Sequence, residues 1–116
     1  GIFNAIQYAA IQALRNEDAN IEKMLEIYAW RRKLVLETFA KVGLSFKPQK
    51  GTFYLWIPVP QGMTSIDFTT RLFEKASVVV AAGTAYGQHG EGYIRISLTV
   101  PDRRLEEAME RIQKVF

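Results

Sequence analysis

The sequence predicts an α/β (α+β) fold of two layers, in which a mainly antiparallel sheet of three or four strands carries helices on one face. Three observations predict this fold. Four segments repeat apolar residues with the period of a helix, and the second of them is long. Two short segments, 52–57 and 93–98, are rich in the aromatic and β-branched residues that strands favour. A chain of 116 residues with 48% hydrophobic content can bury one core.

The first two segments predict consecutive helices. Residues 2 to about 15 carry apolar side chains over a wide angle, so this helix needs neighbours on more than one side. The run Asn16-Glu17-Asp18 breaks it. Asn20 is then expected to cap a second helix, which runs to about Val42 and stops at Gly43. At 1.5 Å per residue this second helix would be roughly 33 Å long.

The second helix has two apolar stripes, and their number bears on domain organisation. The stripe that can cover the local sheet consists of Ile21, Leu25, Tyr28, Val35, Phe39 and Val42. The other stripe consists of Ile27, Trp30 and Leu34 and implies a second body. We therefore expect this helix to bridge two domains. The alternative is a self-contained layer of two helices.

Two strands are expected next, at about 44–47 and 52–57, with Pro48-Gln49-Lys50-Gly51 between them. Both faces of the second strand carry apolar or aromatic residues, so we expect it to be covered on both sides. Tyr54 and Trp56 share one of these faces, where they could lie on the ligand side of the sheet. Aromatic residues in a strand are more often part of the core.

Terminal signals delimit the remaining elements. Thr64, with Asp67 three residues later, resembles a capping box and starts a helix to about Ala76. A strand is expected at 78–81, and a last helix begins near Pro101, which a first turn tolerates. The apolar stripe of that last helix consists of Leu105, Ala108, Met109, Ile112 and Val115.

Arg95 lies at the middle of the most informative strand, in the run GEGYIRISL. Side chains alternate along a strand, so the apolar residues Ile94, Ile96 and Leu98 point one way. Tyr93, Arg95 and Ser97 point the other way. The planar guanidinium matches a carboxylate through two parallel hydrogen bonds, so Arg95 is the candidate carboxylate-binding residue. The alternative is an edge-strand arginine in solvent.

The loop before this strand is rich in glycine, at Gly83, Gly87, Gly90 and Gly92. Tyr86 could line a ligand entrance there, or it could pack on its own loop. His89 has no evident acid–base partner, and we expect no catalytic role for it. Glu91 is expected to be a solvated turn residue.

Composition excludes several classes of site. The chain has no cysteine, and therefore no disulfide framework or thiolate metal site. A single histidine excludes a multi-histidine metal site. No apolar stretch could span a bilayer and no signal peptide is visible, so we expect no membrane partner and a cytoplasmic location. The net charge is +3, but the basic residues are interleaved with acidic ones, which argues against nucleic-acid binding. The one basic cluster, at 31–33, is expected to be a solvated helix face.

The order of these blocks resembles the C-terminal part of the class I/II aminotransferases, pyridoxal-phosphate enzymes of the aspartate aminotransferase fold type. The resemblance rests on GIFNAIQYAA, GTFYLWIP, VVVAAGTAYG and GEGYIRIS, in that order. It implies that residues 1–19 are a remnant of the large cofactor domain, 20–42 an interdomain bridging helix and 43–116 a small C-terminal domain. Ala82 departs from the pattern, since a proline commonly precedes the glycine there.

The resemblance also implies the site. The family's arginine at the position of Arg95 binds the α-carboxylate of the substrate, and Tyr86 and Tyr54 are weaker substrate-binding candidates. The catalytic lysine, the phosphate-binding loop and the aspartate that pairs with the pyridine nitrogen lie upstream of Gly1 in the family. We therefore expect a fragment with no catalytic or cofactor-binding residue of its own, inactive alone and without bound pyridoxal phosphate.

The implied parent is a homodimer that transfers an amino group between an amino acid and a 2-oxo acid. Aspartate, alanine and LL-diaminopimelate are all compatible substrates. The isolated fragment is expected to self-associate through its first helix. Three alternatives stay open: a carbon–sulfur lyase of the same fold, the aminotransferase-like effector domain of a transcription regulator, and a free-standing ligand-binding domain with its first helix docked.

Overall fold

A computed structural model describes residues 1–15 and 18–116, and the side chains of 1–15 and 21–116. Within these residues the chain forms helices α1 (Asn4–Arg15), α2 (Asp18–Lys41), α3 (Ser65–Ala76) and α4 (Asp102–Val115) and strands β1 (Tyr54–Pro58), β2 (Ala81–Ala82) and β3 (Tyr93–Ser97). The strands form one antiparallel sheet in the order β1-β3-β2, so β3 is central. This confirms the predicted fold class.

The core lies between the sheet and helices α2, α3 and α4. The alternation of β3 places Ile94, Ile96 and the following Leu98 on the buried face, as predicted. Leu55 and Ile57 of β1 lie beside them. The helices bury against this face the side chains of Val35, Phe39, Phe68, Leu72, Leu105, Met109 and Ile112. The stripe of α4 is therefore confirmed at its centre, while Val115 at its end is exposed.

Two strand predictions are wrong in extent. Residues 44–47 form no strand, and the outer edge of β1 is bonded instead by the side chain of Gln49. Its amide Nε2 donates to the Trp56 carbonyl, and its Oε1 accepts from the Trp56 N–H, both at 3.1 Å. The strand predicted at 78–81 is reduced to Ala81–Ala82, since only these residues pair with β3.

The helix ends follow local signals in most cases. Helix α2 ends in a Schellman arrangement, in which Gly43 has a φ of +84° and the Leu44 N–H donates to the Phe39 carbonyl at 2.8 Å. The capping box of α3 is confirmed in both directions, with Asp67 in the role usually taken by Glu. The prediction that Asn20 caps α2 is wrong, because this helix begins at Asp18. The break predicted at Asn16 and Glu17 lies outside the described residues.

The basic cluster of α2 is not a solvated face at Arg31 and Arg32, which corrects that prediction. The Arg31 side chain is only 13% exposed and contacts Asp102 at 2.6 Å and the Leu98 carbonyl at 2.7 Å. Arg32 donates to the Gln49 carbonyl. Lys33 alone is mainly exposed, with Glu37 at 3.8 Å. Two of the three cations thus attach α2 to the rest of the fold.

Helix α1 and the first half of α2 expose apolar side chains. No side chain of α1 is buried, and large apolar residues are exposed on both helices and just before α1, namely Ile2, Phe3, Ile6, Tyr8, Ile11, Leu14, Ile21, Met24, Leu25, Ile27 and Trp30. A docked α1, as a free-standing domain would have, is therefore not observed. Among the described helices, none is both long and apolar enough to cross a membrane.

Candidate functional site

Arg95 lies on the face of the sheet opposite the helices, at the centre of the middle strand. It is paired with Trp56 of β1 on one side and with Ala81 of β2 on the other. Its side chain is half-buried. The alternative of an edge-strand arginine in solvent is therefore wrong, since both flanks of β3 are occupied at this position.

The structure brings the three predicted site residues together. The guanidinium carbon of Arg95 lies 4.1 Å from the centre of the Tyr54 ring and 4.3 Å from that of Tyr86. These distances are typical of cation–π contacts. Tyr54 belongs to β1, and Tyr86 belongs to the loop between β2 and β3, so strands far apart in sequence assemble the cluster.

Two further aromatic residues extend this cluster. Trp56 lies 5.9 Å from Tyr86, edge to face, and stacks on Tyr93 with 5.8 Å between ring centres. The second face of β1 is therefore covered by side chains rather than by a second layer of helices, which refines the prediction that both faces are covered. The contact of Trp56 with Tyr86 was not anticipated, because it crosses between a strand and a loop.

The loop that carries Tyr86 is closed at its base by two glycines. A Cβ on Gly83 would lie 2.0 Å from the Gly90 carbonyl oxygen, and one on Gly90 would lie 1.9 Å from the Gly83 oxygen. No side chain fits in that space, so the two backbones can approach only as glycines. Residues 83–86 and 88–90 form two short 3-10 turns between them, and Tyr86 lies in the first, half exposed.

Glu91 is an exposed turn residue, as predicted, and it also anchors the same loop to helix α3. Its carboxylate accepts the Ser65 N–H at 2.7 Å and the Gly92 N–H at 2.8 Å. These two backbone hydrogen bonds, the Ser65 bond foremost, lower the pKa of Glu91 below its usual value. The carboxylate binds at this point because Ser65 begins α3, and the N-terminus of a helix attracts an anion.

Ser65 completes this connection from the buried side. Its hydroxyl donates to the Gly90 carbonyl at 3.2 Å and accepts the Tyr93 N–H at 3.1 Å. Ser65 has no exposed surface. The capping box at Thr64 predicted where α3 begins, but no sequence signal connected that helix end to the glycine loop.

The other titratable residues include one histidine, several acids and seven lysines. His89 is exposed and lines a recess of about 540 Å³ together with Lys47, Gln49, Trp56 and Tyr93. No group of three or more His, Asp or Glu residues among those described could hold a metal ion. All seven lysines are exposed: Lys23, Lys33, Lys41, Lys47, Lys50, Lys75 and Lys114.

Comparisons with known proteins agree with this architecture. The family model for aminotransferase class I and II matches residues 2–112. The LL-diaminopimelate aminotransferase of Halothermothrix orenii is 48% identical over 113 residues, which are 97% of this chain and 29% of that protein. The LL-diaminopimelate aminotransferase of Aquifex aeolicus is 46% identical over 115 residues, which are 99% of this chain and 30% of that protein.

A solved structure gives the same result in three dimensions. The aromatic aminotransferase of Pyrococcus horikoshii OT3 superposes with a TM-score of 0.83 at 42% identity, covering 95% of this chain and 30% of that one. The chain thus spans about 30% of the length of the relatives that it matches. With nearly all of its residues matched by the family model, the chain belongs to the class I and II aminotransferase family.

Proposed function

We propose that this chain is part of a longer aminotransferase, and that it contributes Arg95 to bind the α-carboxylate of the amino-acid and 2-oxo-acid substrates. One observation carries the proposal. The Arg95 guanidinium is half-buried beside aromatic rings, and no carboxylate of the described residues forms an ion pair with it. Partly buried charges normally have partners, so a carboxylate ligand would complete the site.

The curated relatives support LL-diaminopimelate as the first amino donor to test. They are named for that substrate and are 46% and 48% identical to this chain. Aspartate, alanine and aromatic amino acids remain candidates, because each has the α-amino carboxylate group that Arg95 would bind. The residues that recognise the substrate side chain would come mostly from other parts of the protein or from a second subunit of a homodimer.

The family implies pyridoxal phosphate, which supplies the electron sink for amino-group transfer. The residues of this chain do not fit that cofactor by themselves. A lysine that binds it must lie in a cleft within reach of the substrate, whereas the seven lysines here are exposed at the surface. The residues that hold the cofactor would therefore lie elsewhere in the longer protein.

The domain boundaries follow from the same proposal. Residues 1–19 would belong to a large domain, 20–42 would bridge the domains, and 43–116 would form the small domain. The apolar side chains exposed along α1 and on α2 up to Trp30 support this division, because a second body would cover them. The second half of α2, with Val35 and Phe39, packs on the sheet domain.

Substitution of Arg95 in the complete protein tests the proposed function. We expect Arg95→Ala to raise the KM for the amino acid strongly and to lower kcat, while the absorption of bound pyridoxal phosphate is unchanged. Loss of a buried bidentate charge pair costs roughly 2–5 kcal/mol, or about 30- to several-thousand-fold in kcat/KM.

Arg103→Ala is the matched control, because Arg103 is an exposed arginine on α4, a helix that packs on the core face of the sheet rather than on the face of Arg95. Its kinetics should equal those of the wild type. Unchanged kinetics in Arg95→Ala would contradict the proposal. Release of pyruvate from cystathionine by the wild type, without amino transfer, would instead indicate the carbon–sulfur lyase alternative.

A further inference from the structure

We propose that Tyr54 and Tyr86 act as positioning residues that hold the Arg95 guanidinium between their rings, so that a carboxylate can reach it only at its edge. This inference rests on the proposed function and deepens it. It differs from the prediction that the two tyrosines themselves bind substrate. In this arrangement they act through Arg95, and their rings rather than their hydroxyl groups matter.

The two rings come from different segments of the chain. Tyr54 lies on β1, whose Trp56 is directly opposite Arg95, so Tyr54 approaches diagonally from the β1 side. Tyr86 follows β2, which pairs with the other side of β3. Both ring centres lie little more than 4 Å from the guanidinium carbon. The cation thus contacts one ring from β1 and one from the loop that follows β2.

This geometry leaves one direction for a ligand. The five N–H groups of a guanidinium lie in its plane, and a carboxylate binds two of them side by side. In the proposed arrangement the two rings, whose centres lie 4.1 and 4.3 Å from the guanidinium carbon, restrict rotation of its plane and leave in-plane donors for the ligand. The attraction of a ring for a cation also takes the place of an acidic side chain, which would compete with the substrate carboxylate.

Tyr86 needs support, because it comes from a loop and is half exposed. Trp56 provides this support by an edge-to-face contact at 5.9 Å, and Tyr93 stacks on the same Trp56 side chain at 5.8 Å. The Gly83–Gly90 contact closes the base of the loop. The position of the Tyr86 ring over Arg95 is therefore fixed from two sides.

The test uses the complete protein and two measurements: the KM for the amino acid and the inhibition constant of butanoate, a carboxylate with no amino group to react. We expect Tyr54→Leu and Tyr86→Leu each to raise both constants together by roughly 2- to 13-fold, because a guanidinium that is no longer held must be ordered when the carboxylate binds. Tyr54→Phe and Tyr86→Phe keep the ring and should stay within about twofold of the wild type.

Fluorinated phenylalanines at position 86 make the test independent of folding, because they keep the shape of the ring and weaken its attraction for a cation stepwise. The inhibition constant of butanoate should rise with each added fluorine. A flat series would overturn the inference. The inference would also be overturned if the Phe variants raised the inhibition constant as much as the Leu variants, since the hydroxyl groups would then bind the substrate directly.

Arg95→Ala, measured in parallel, separates this inference from the proposed function. A raised inhibition constant in Arg95→Ala, together with unaffected ring variants, would overturn only the positioning role. An unchanged inhibition constant in Arg95→Ala would overturn the proposed function, and the positioning role with it.

Discussion

Single side chains fasten the Arg95 strand to its surroundings, and Glu91 is the clearest case. The residue is exposed, yet its carboxylate accepts two backbone N–H groups and connects the glycine loop to the first turn of α3. The same loop carries Tyr86, one of the two rings beside Arg95. A residue that contacts no substrate thereby helps to determine where the candidate site lies.

Glu91→Gln should lower the melting temperature, and the difference from the wild type should depend on pH. The folded-state pKa of Glu91 is lowered from about 4.5, so its stabilising effect is complete above pH 4.5. The effect is lost as the pH falls through the folded pKa, where the protonated acid resembles the amide. Thermal unfolding of both proteins from pH 7 to pH 3 measures this convergence.

Glu110→Gln removes one exposed carboxylate from α4 and controls for the change in net charge. If the difference in melting temperature between Glu91→Gln and the wild type stays constant down to pH 3, the charge of Glu91 has no part in the contact.

Among the elements, β1 is the one whose environment differs most from its prediction. The sequence suggested a neighbouring strand at 44–47, and the structure has instead a single side chain, Gln49, bonded to both polar backbone groups of Trp56. An amide side chain presents a donor and an acceptor with the spacing of a peptide group, so it can replace one residue of a strand. The outer edge of β1 is thereby closed at the residue opposite Arg95.

Gln49→Ala should destabilise the fold by roughly 1–2 kcal/mol, since it removes two hydrogen bonds whose partners water can partly reach. The amide hydrogen of Trp56 should exchange faster with solvent. Urea unfolding and hydrogen exchange measured by NMR would check the two effects. Gln88→Ala, at an exposed glutamine of the loop, should change neither quantity. An unaltered Trp56 amide in Gln49→Ala would contradict this account of the β1 edge.

The whole molecule is extended, with dimensions of 50 × 29 × 24 Å and a radius of gyration of 17.1 Å. A compact domain of this length would have a radius of gyration of about 13 Å. Helix α1 and the first half of α2, whose apolar side chains are exposed, account for the larger radius of gyration. Large apolar side chains exposed together on two consecutive helices, unlike singly scattered ones, are typical of an interaction face.

The isolated 116-residue chain should therefore self-associate, with a mass in light scattering that rises with concentration. Leu14→Lys combined with Leu25→Lys places a charge on each exposed helix and should shift the chain toward the monomer. Thr70→Lys with Gln88→Lys adds the same charge at polar exposed positions and should leave association unchanged. A monodisperse monomer at high concentration in the unsubstituted chain would refute the prediction.

Much of the fold could be predicted because its signals are local. The alternation of Ile94, Arg95 and Ile96 needed only the period of a strand, and the Thr64–Asp67 capping box needed only four residues. The candidate site was predicted less completely. Arg95, Tyr54 and Tyr86 were each named, but their assembly into one cluster depends on the order of three strands.

By itself, the sequence determined the helices, the strand that carries Arg95, the face on which Arg95 lies and the family. These properties depend on residue type and on spacing along a short stretch of chain. Only the tertiary structure decided the partners of Glu91, Gln49 and Arg31, because each depends on which segments fold against one another. Arg31 and Asp102 are 71 residues apart in sequence, and no local pattern specifies such a contact.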